Sequence, residues 1–195
     1  YLDPIMKSRT LGTKGIVSRS VQAEMFTLFI TSHYGNRIHM SIFDYGDAQA
    51  TIPPPESWLH VCATFDLSHI RLYYNGVLMD EVEAVADPAW SDWGDLPLFI
   101  GGVSDVDGFM VNEGTLFQGM MENIRIWDKA LNEEEIQALL AVSPENEDIG
   151  QMTEDGLLAY YSTRSLEGET LQDLTGNGND AMFIGTASVE NWSLH

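Results

Sequence analysis

Short apolar or alternating segments recur along the chain, separated by Gly, Asn, Asp and Pro. This spacing is typical of antiparallel β-proteins, because each strand buries one face and each turn favours residues that tolerate unusual backbone angles. Asn75-Gly76 lies between two such segments and predicts a β-hairpin, since both residues accept positive φ. The predicted strands are 15–18, 25–31, 38–43, 58–65, 70–74, 77–82, 96–100, 116–127, 156–161 and 181–185.

One segment has helical periodicity instead. Asn132 can cap a helix, and the three glutamates at 133–135 suit the positive end of the helix dipole. Pro144 then ends the segment. Apolar residues recur at helical spacing at Leu131, Ile136, Leu139 and Leu140. The sequence therefore predicts a single short helix near 132–141.

A series of short motifs follows in order from Trp58 onward. The first reads Trp-x-His-Val-x-Ala-Thr-x-Asp and then Arg-x-Tyr-x-Asn-Gly, carried by Trp58, His60, Val61, Ala63, Thr64, Asp66, Arg71, Tyr73, Asn75 and Gly76. The later ones are Ile-Gly-Gly at 100–102, Phe-x-Gly at 117–119, Arg-Ile-Trp at 125–127, Ala-Leu at 130–131 and Glu-Glu-Ile at 134–136. This ordered set resembles the laminin-G-like and pentraxin-like branch of the concanavalin A-like lectin/glucanase superfamily.

Two later stretches also resemble recurrent parts of these modules: Gly-Leu-Leu-Ala-Tyr-Tyr at 156–161 and Asp-Leu-Thr-Gly-Asn-Gly-Asn-Asp at 173–180. The resemblance implies an all-β fold, a jelly-roll sandwich of two antiparallel sheets with the short helix near 132–141. We expect a single domain over 1–195, in which 156–195 completes the sandwich.

The chain is strongly acidic, with 30 Asp and Glu against 9 Lys and Arg and a formal net charge of -21. A field of this sign repels phosphates and anionic lipid headgroups and attracts cations, so no nucleic-acid partner is expected. No apolar run reaches the roughly 18 residues of a membrane-spanning helix, so no membrane insertion is expected. Solubility or a salty habitat would explain the acidity equally well.

The sequence gives little support for an enzyme. Retaining glycoside hydrolysis needs two carboxyl groups about 5–5.5 Å apart, and the glucanase branch carries Glu-x-Asp-x-x-Glu, which does not occur here. Glu81 and Glu83 are two residues apart but lack a third acid at the required offset. Gly-x-Ser-x-Gly is absent, and the only cysteine, Cys62, has no basic neighbour. We therefore predict no catalytic residues.

The loop at 173–180 is the best candidate for a metal site. Ca²⁺ takes about six to eight oxygen ligands, which Asp and Asn side chains in a Gly-rich turn can supply. The candidate ligands there are Asp173, Asn177, Asn179 and Asp180. The resemblance adds Glu122, which stands where the family has Asp before Arg-Ile-Trp. The alternative is a tight Asn-Gly turn whose side chains bond their own backbone.

Two loops offer candidate sugar contacts. Trp90 and Trp93 flank Asp92 in the segment 87–95, and aromatic rings beside carboxylates suit the apolar faces and hydroxyls of sugars. Asp105 and Asp107 lie in the acidic loop 104–114, which can line a groove or bind a cation. The alternatives are tryptophans that fold back over a sheet edge and an acidic loop that is only solvated.

These features lead us to expect a non-catalytic carbohydrate-binding, lectin-like module of an extracellular or surface protein, dependent on or stabilised by Ca²⁺. Its expected partner is a glycan or a cell-surface or extracellular protein. The alternative is a structural or adhesive module that binds protein and has no sugar site, and a glycoside hydrolase is the least favoured class. The scaffold hosts many functions, so the fold alone does not separate them.

Overall fold

The computed structural model describes residues 2–3, 13–19, 26–31, 36–42, 45–54, 58–84, 97–103, 113–117, 119–141 and 156–184. Its strands are β1 (Leu2–Asp3), β2 (Thr13–Arg19), β3 (Phe26–Thr31), β4 (Arg37–Ile42), β5 (Gly46–Thr51), β6 (Val61–Phe65), β7 (His69–Tyr74), β8 (Val77–Glu83), β9 (Phe99–Ile100), β10 (Met120–Met121), β11 (Ile124–Trp127), β12 (Leu157–Tyr161), β13 (Leu166–Glu167), β14 (Thr170–Leu171) and β15 (Ala181–Met182). The α-helix is α1 (Glu133–Ala141), and short 3₁₀ turns lie at Glu113–Thr115 and Thr163–Ser165. The chain forms two compact units, residues 3–120 and residues 1–2 with 121–195.

The unit at 3–120 contains two of the described sheets. One has five strands in the order β5-β4-β3-β2-β9, and the other has three in the order β6-β7-β8, all paired antiparallel. They pack face to face, because a Cβ added at Gly46 would lie 3.1 Å from Ile70 Cδ1 and 3.2 Å from Val82 Cγ1. The Tyr74 hydroxyl also donates to the Ala50 carbonyl at 2.9 Å. The core between the sheets includes Ile30, Ile38, Ile42, Ala48, Ile70 and Leu72.

The unit at 121–195 is built around the antiparallel pair β11–β12 and the three-stranded sheet β13-β14-β15. Tyr160 of β12 is 1% exposed, and its hydroxyl donates to Asn123 Oδ1 at 3.0 Å. The guanidinium of Arg125 lies over the Tyr160 ring, 4.5 Å from its centroid. Helix α1 contributes Ile136, which is fully buried.

The structure confirms the predicted fold class, an antiparallel β-sandwich with one short helix among the described residues. The prediction of a single strand over 116–127 is wrong, because β10 and β11 are separated at Asn123, whose φ of 55° breaks the extended backbone. Strand β5 was not predicted. The single-domain arrangement of 1–195 stays a prediction. No helix in the described ranges is long and apolar enough to cross a bilayer.

Candidate functional site

Strands β3, β4 and β5 give their sheet one apolar face and one polar face. Successive residues of a strand lie on opposite faces, and residues paired across strands share a face. The apolar face, toward the core, holds Phe26, Leu28, Ile30, Ile38, Met40, Ile42, Ala48 and Ala50. The other face holds three rows, Thr27–Ser41–Asp47, Phe29–His39–Gln49 and Thr31–Arg37–Thr51, and these nine residues are called the polar face below.

His39 occupies the middle of the polar face. Its Nδ1 lies 2.9 Å from one carboxylate oxygen of Asp47 and 3.1 Å from the other. Because a carboxylate only accepts, Nδ1 carries a proton and donates it to Asp47. His39 is 5% exposed and stacks on Phe29, yet its Nε2 has no hydrogen-bond partner among the described residues. A buried ring nitrogen without a partner in the described ranges thus lies in this face.

Arg37 and Gln49 form a second polar contact beside His39. Arg37 Nη1 donates to Gln49 Oε1 at 2.9 Å, and the backbone N–H of Gln49 donates to the Asp80 carboxylate at 2.8 Å. Two further polar atoms of this face, Thr27 Oγ1 and Arg37 Nε, are buried and have no hydrogen-bond partner within the part of the chain that the structure describes. The polar face therefore holds buried polar atoms that have no hydrogen-bond partner among the described residues.

Asp173, the first predicted calcium ligand, has a carboxylate that the protein itself uses. One oxygen accepts from the N–H of Tyr160 at 3.1 Å and from the N–H and hydroxyl of Thr175 at 3.0 and 2.7 Å. The other accepts from the N–H of Asn179 at 3.1 Å. Burial opposes ionisation, but these hydrogen bonds outweigh it and hold the pKa of the Asp173 carboxyl below its ordinary value. The ionised side chain thus fastens the loop to β12.

The other predicted ligands of this loop also hydrogen-bond within the unit. The side-chain amide of Asn177 donates to two carbonyls of β12, at 157 and 158, both at 3.1 Å. The amide of Asn179 donates to the second of these carbonyls at 2.8 Å. Asp180 Oδ1 accepts from the backbone N–H of Asp173 at 2.9 Å. The structure therefore brings the four loop residues together, in the pattern of a turn that bonds its own backbone.

These residues fit a calcium ion only in part. The loop has two carboxylates, and that of Asp173 already accepts four hydrogen bonds. Glu122 is half-buried between β10 and β11. No three His, Cys, Asp or Glu side chains within the described ranges form a group that could hold a metal ion. A calcium ion at the loop would need amide oxygens, backbone carbonyls or water to complete its ligands, so calcium binding stays a prediction.

The candidate sugar contacts cannot be placed in the same way. Trp90, Asp92, Trp93, Asp105 and Asp107 lie outside the described residues. Their roles in ligand binding therefore stay predictions.

The residues considered for catalysis lie in ordinary structural settings. Glu81 and Glu83 are both exposed on β8, and Glu81 accepts a hydrogen bond from Arg71. Burial raises the pKa of the Cys62 thiol to about 12, so the reactive thiolate does not form near neutral pH.

Sequence reasoning missed the polar face. The polar face is visible in the sequence as the alternation of 26–31 and 37–42, in which Thr27, His39 and Ser41 interrupt apolar residues at every second position. The partner of His39, however, is Asp47 on β5, a strand whose sequence Gly-Asp-Ala-Gln-Ala-Thr has few β-favouring residues. Because β5 was not predicted, nothing in the sequence indicated that His39 and Asp47 would be in contact.

Comparison with known proteins identifies the fold family. The sequence model described as "Concanavalin A-like lectin/glucanases superfamily" matches residues 6–137, more than half of the chain. No curated protein matches the sequence. A solved "putative carbohydrate binding protein" from Bacteroides ovatus is 22% identical with a TM-score of 0.62, and the match covers 87% of this chain. The chain spans about half of that protein's length, 47%. An S-layer domain-containing protein from Clostridium thermocellum is 21% identical with a TM-score of 0.39, covering 70% of this chain and 66% of its own.

Proposed function

Because the chain belongs to the concanavalin A-like lectin/glucanases superfamily, we propose that it is a non-catalytic carbohydrate-binding module of an extracellular or surface protein. The observation that carries the proposal is the polar face, on which the partly exposed side chains of Arg37, Ser41 and Asp47 share one side of the sheet with the aromatic ring of Phe29. Sugars combine hydroxyl groups with apolar C–H faces and are bound by this combination of groups. The name of the Bacteroides ovatus protein, which refers to carbohydrate binding, supports the same proposal.

The non-catalytic part of the proposal is supported by the two glutamates weighed for hydrolysis. Glu81 pairs with Arg71, and both Glu81 and Glu83 stand exposed on β8 rather than facing each other across a cleft. A retaining pair needs two carboxyl groups that flank the scissile bond. Turnover of β-glucans by pure protein, lost in Glu81→Gln, would contradict this part.

Calcium dependence is a second part of the proposal. The loop at 173–180 would hold the ion through Asp180 and the amide oxygens of Asn177 and Asn179, with Asp173 beside them. Glu122 would add a ligand only if its carboxylate reaches the loop. The ion would then stabilise the folded protein by RT ln(1 + [L]/Kd), roughly 2.7 kcal/mol at a hundredfold excess over Kd.

A glycan array probed with and without EDTA tests both parts. If chelation abolishes glycan binding, the protein is a calcium-dependent lectin. If EDTA leaves glycan binding unchanged, the result supports carbohydrate binding and contradicts calcium dependence. The melting temperature in Ca²⁺, Mg²⁺ and NaCl of matched ionic strength separates a specific site from screening of the acidic chain. Asp180→Asn, which removes the other carboxylate of the loop, should lose the Ca²⁺-specific shift. An equal response of the wild type and this variant would mean that calcium does not bind at this loop.

A protein-binding, adhesive module is the second candidate function. Val77, Leu78 and Met79 are 40–56% exposed on β8, and Trp58 is 41% exposed. Exposed apolar side chains in one region mark surfaces that bind other proteins. If this candidate is right, the array shows no glycan binding with or without EDTA. The wild-type protein should instead bind a protein ligand, and a Met79→Glu variant should not bind it.

A further inference from the structure

The sequence contains two Asn-Gly pairs, and the fold gives them different surroundings. Asn75 and Gly76 form the turn between β7 and β8, where Gly76 is buried. Asn177 and Gly178 lie in the loop at 173–180, where both residues are exposed. A Cβ atom built on Gly178 would meet nothing within 4 Å beyond its chain neighbours. Water and hydroxide can therefore reach the backbone of the second pair.

The backbone N–H of Gly178 has no competing contact. Within the described ranges it donates no hydrogen bond, and the side-chain oxygen of Asn177 accepts none. The side-chain nitrogen of Asn177 donates to the carbonyls of Leu157 and Leu158, both at 3.1 Å. The side-chain amide of Asn177 is thus held at its nitrogen only, and the backbone N–H that follows it in the chain is open to deprotonation by hydroxide.

We propose that Asn177 is a modification site, at which the side-chain amide is lost by spontaneous deamidation. Hydroxide removes the proton of the Gly178 N–H, and this nitrogen attacks Cγ of Asn177. The new N–Cγ bond closes a succinimide ring as the Cγ–Nδ2 bond breaks, and Nδ2 takes a proton from water and leaves as ammonia. Glycine has no Cβ atom to obstruct this ring closure. Water then opens the ring at either carbonyl, which gives aspartate or isoaspartate.

The same chemistry is blocked at Asn75. Attack requires hydroxide to reach the N–H of Gly76, which is buried in the hairpin. Asn75 is also tied to His60, since its Oδ1 accepts from the His60 N–H at 3.0 Å and its own N–H donates to the His60 carbonyl at 2.9 Å. The hairpin must therefore open locally before Asn75 reacts, and the low population of the opened state slows the reaction.

Deamidation removes one of the contacts that fasten the loop to β12. Both products lack the side-chain NH₂ group that donates to the carbonyls of Leu157 and Leu158. In the aspartate product, a carboxylate, which only accepts, lies beside these two carbonyl oxygens and is repelled by them. The bond from the Asn179 amide to the Leu158 carbonyl is not altered by the reaction. The reacted loop is therefore held less firmly against β12, a consequence that does not depend on the proposed function.

Peptide mapping of the wild-type full chain tests the modification site. The folded protein is incubated at mildly alkaline pH in water labelled with heavy oxygen, and mass spectrometry follows the label at each Asn-Gly pair. Ring opening inserts one oxygen atom from water, so the label reports the reaction itself. We expect position 177 to become labelled at least about tenfold faster than position 75, because only Asn75 needs local opening. The same chain in concentrated urea is the control, in which both pairs should react at similar rates.

A pair of variants tests the effect on the loop. Asn177→Asp carries the charge of the aspartate product, and Asn75→Asp makes the same change at the other Asn-Gly pair. Asn75→Asp keeps an acceptor for the N–H of His60, so it should retain that contact. We expect Asn177→Asp to melt about 2–4 °C below Asn75→Asp, measured by circular dichroism.

Other outcomes contradict the proposal in distinct ways. Equal labelling of the two pairs in the folded protein, or faster labelling at 75, overturns the modification site. Labelling of both pairs in urea but of neither in the folded protein also overturns it, and means that the bonds to Leu157 and Leu158 keep the amide away from the Gly178 nitrogen. Equal melting of the two variants overturns the loosening of the loop. None of these results bears on glycan binding.

Discussion

The imidazole of His39 lies parallel to the phenyl ring of Phe29, with 4.8 Å between the ring centroids and 9° between the planes. The two residues are directly paired across β3 and β4, so the stacking is a property of the sheet register. A cross-strand aromatic pair is worth about 0.5–1.5 kcal/mol beyond the area that it buries.

We therefore predict an energetic coupling between these two residues. Phe29→Leu, His39→Gln and the double variant form a double-mutant cycle, measured by urea unfolding. The expected coupling energy is about 0.5–1.5 kcal/mol, because either single change already removes the stacked pair. Additive effects, with no coupling above about 0.3 kcal/mol, would show that the stacking of the two rings contributes no free energy of its own.

Much of the fold could be predicted from the sequence because local patterns determine it. The alternation of 38–43 and the Asn75-Gly76 turn correspond to β4 and to the β7–β8 hairpin, in which Asn75 has a φ of 48°. Segments that carry few β-favouring residues could not be found in this way. Strand β5 forms because Ala48 and Ala50 are buried in the core and Gly46 lies close to Ile70, a tertiary effect that no window of sequence contains.

The candidate site was harder to predict than the fold. Asp47 and His39 are eight residues apart, and their contact depends on the β4–β5 register. The structure brings the residues of the loop at 173–180 together, but the sequence did not indicate that Asp173 would accept four hydrogen bonds from its own neighbourhood. Composition shows which oxygens are available, whereas only the folded backbone decides which donors reach them first.

The N-terminus of α1 gives a prediction of stability. Asn132 and Glu135 form a reciprocal capping box: Asn132 Oδ1 accepts from the N–H of Glu135 at 3.0 Å, and Glu135 accepts from the N–H of Asn132 at 2.8 Å. Asn132→Ala should lower the free energy of unfolding by about 1 kcal/mol, measured with urea. Glu134→Ala, in the same exposed turn, is the control. Equal effects of the two variants would contradict a role for the cap.

The single-domain prediction leads to a truncation experiment. Strand β12 pairs with β11 through Ile124↔Tyr161 and Ile126↔Ala159, so removing 156–195 leaves β11 without that partner. Leu157, Tyr160 and other buried residues of this stretch would be lost, and apolar burial is worth about 25 cal/mol per Å². We expect chain 1–155 to lose cooperative thermal unfolding by circular dichroism. If chain 1–155 melts at the same temperature as the full chain, residues 156–195 do not belong to the same cooperative unit.

The carboxylate of Asp173 makes stability depend on pH in a defined direction. Its pKa in the folded protein lies below the value of about 3.9 that an unfolded aspartate has, because the hydrogen bonds from Thr175, Tyr160 and Asn179 outweigh its burial. The stabilisation is therefore fully present above the unfolded pKa and disappears as the pH falls through the folded pKa.

Asp173→Asn should accordingly cost roughly 2 kcal/mol of unfolding free energy at pH 7, since an amide oxygen replaces a charged acceptor of several bonds. The difference from the wild type should shrink steadily as the pH is lowered from about 5 to 2, measured by urea unfolding at each pH. Asp128→Asn removes the same charge from an exposed residue and controls for the repulsion within an acidic chain. A gap between wild type and Asp173→Asn that stays constant down to pH 2 would mean that the loop depends on the shape of the side chain and not on its charge.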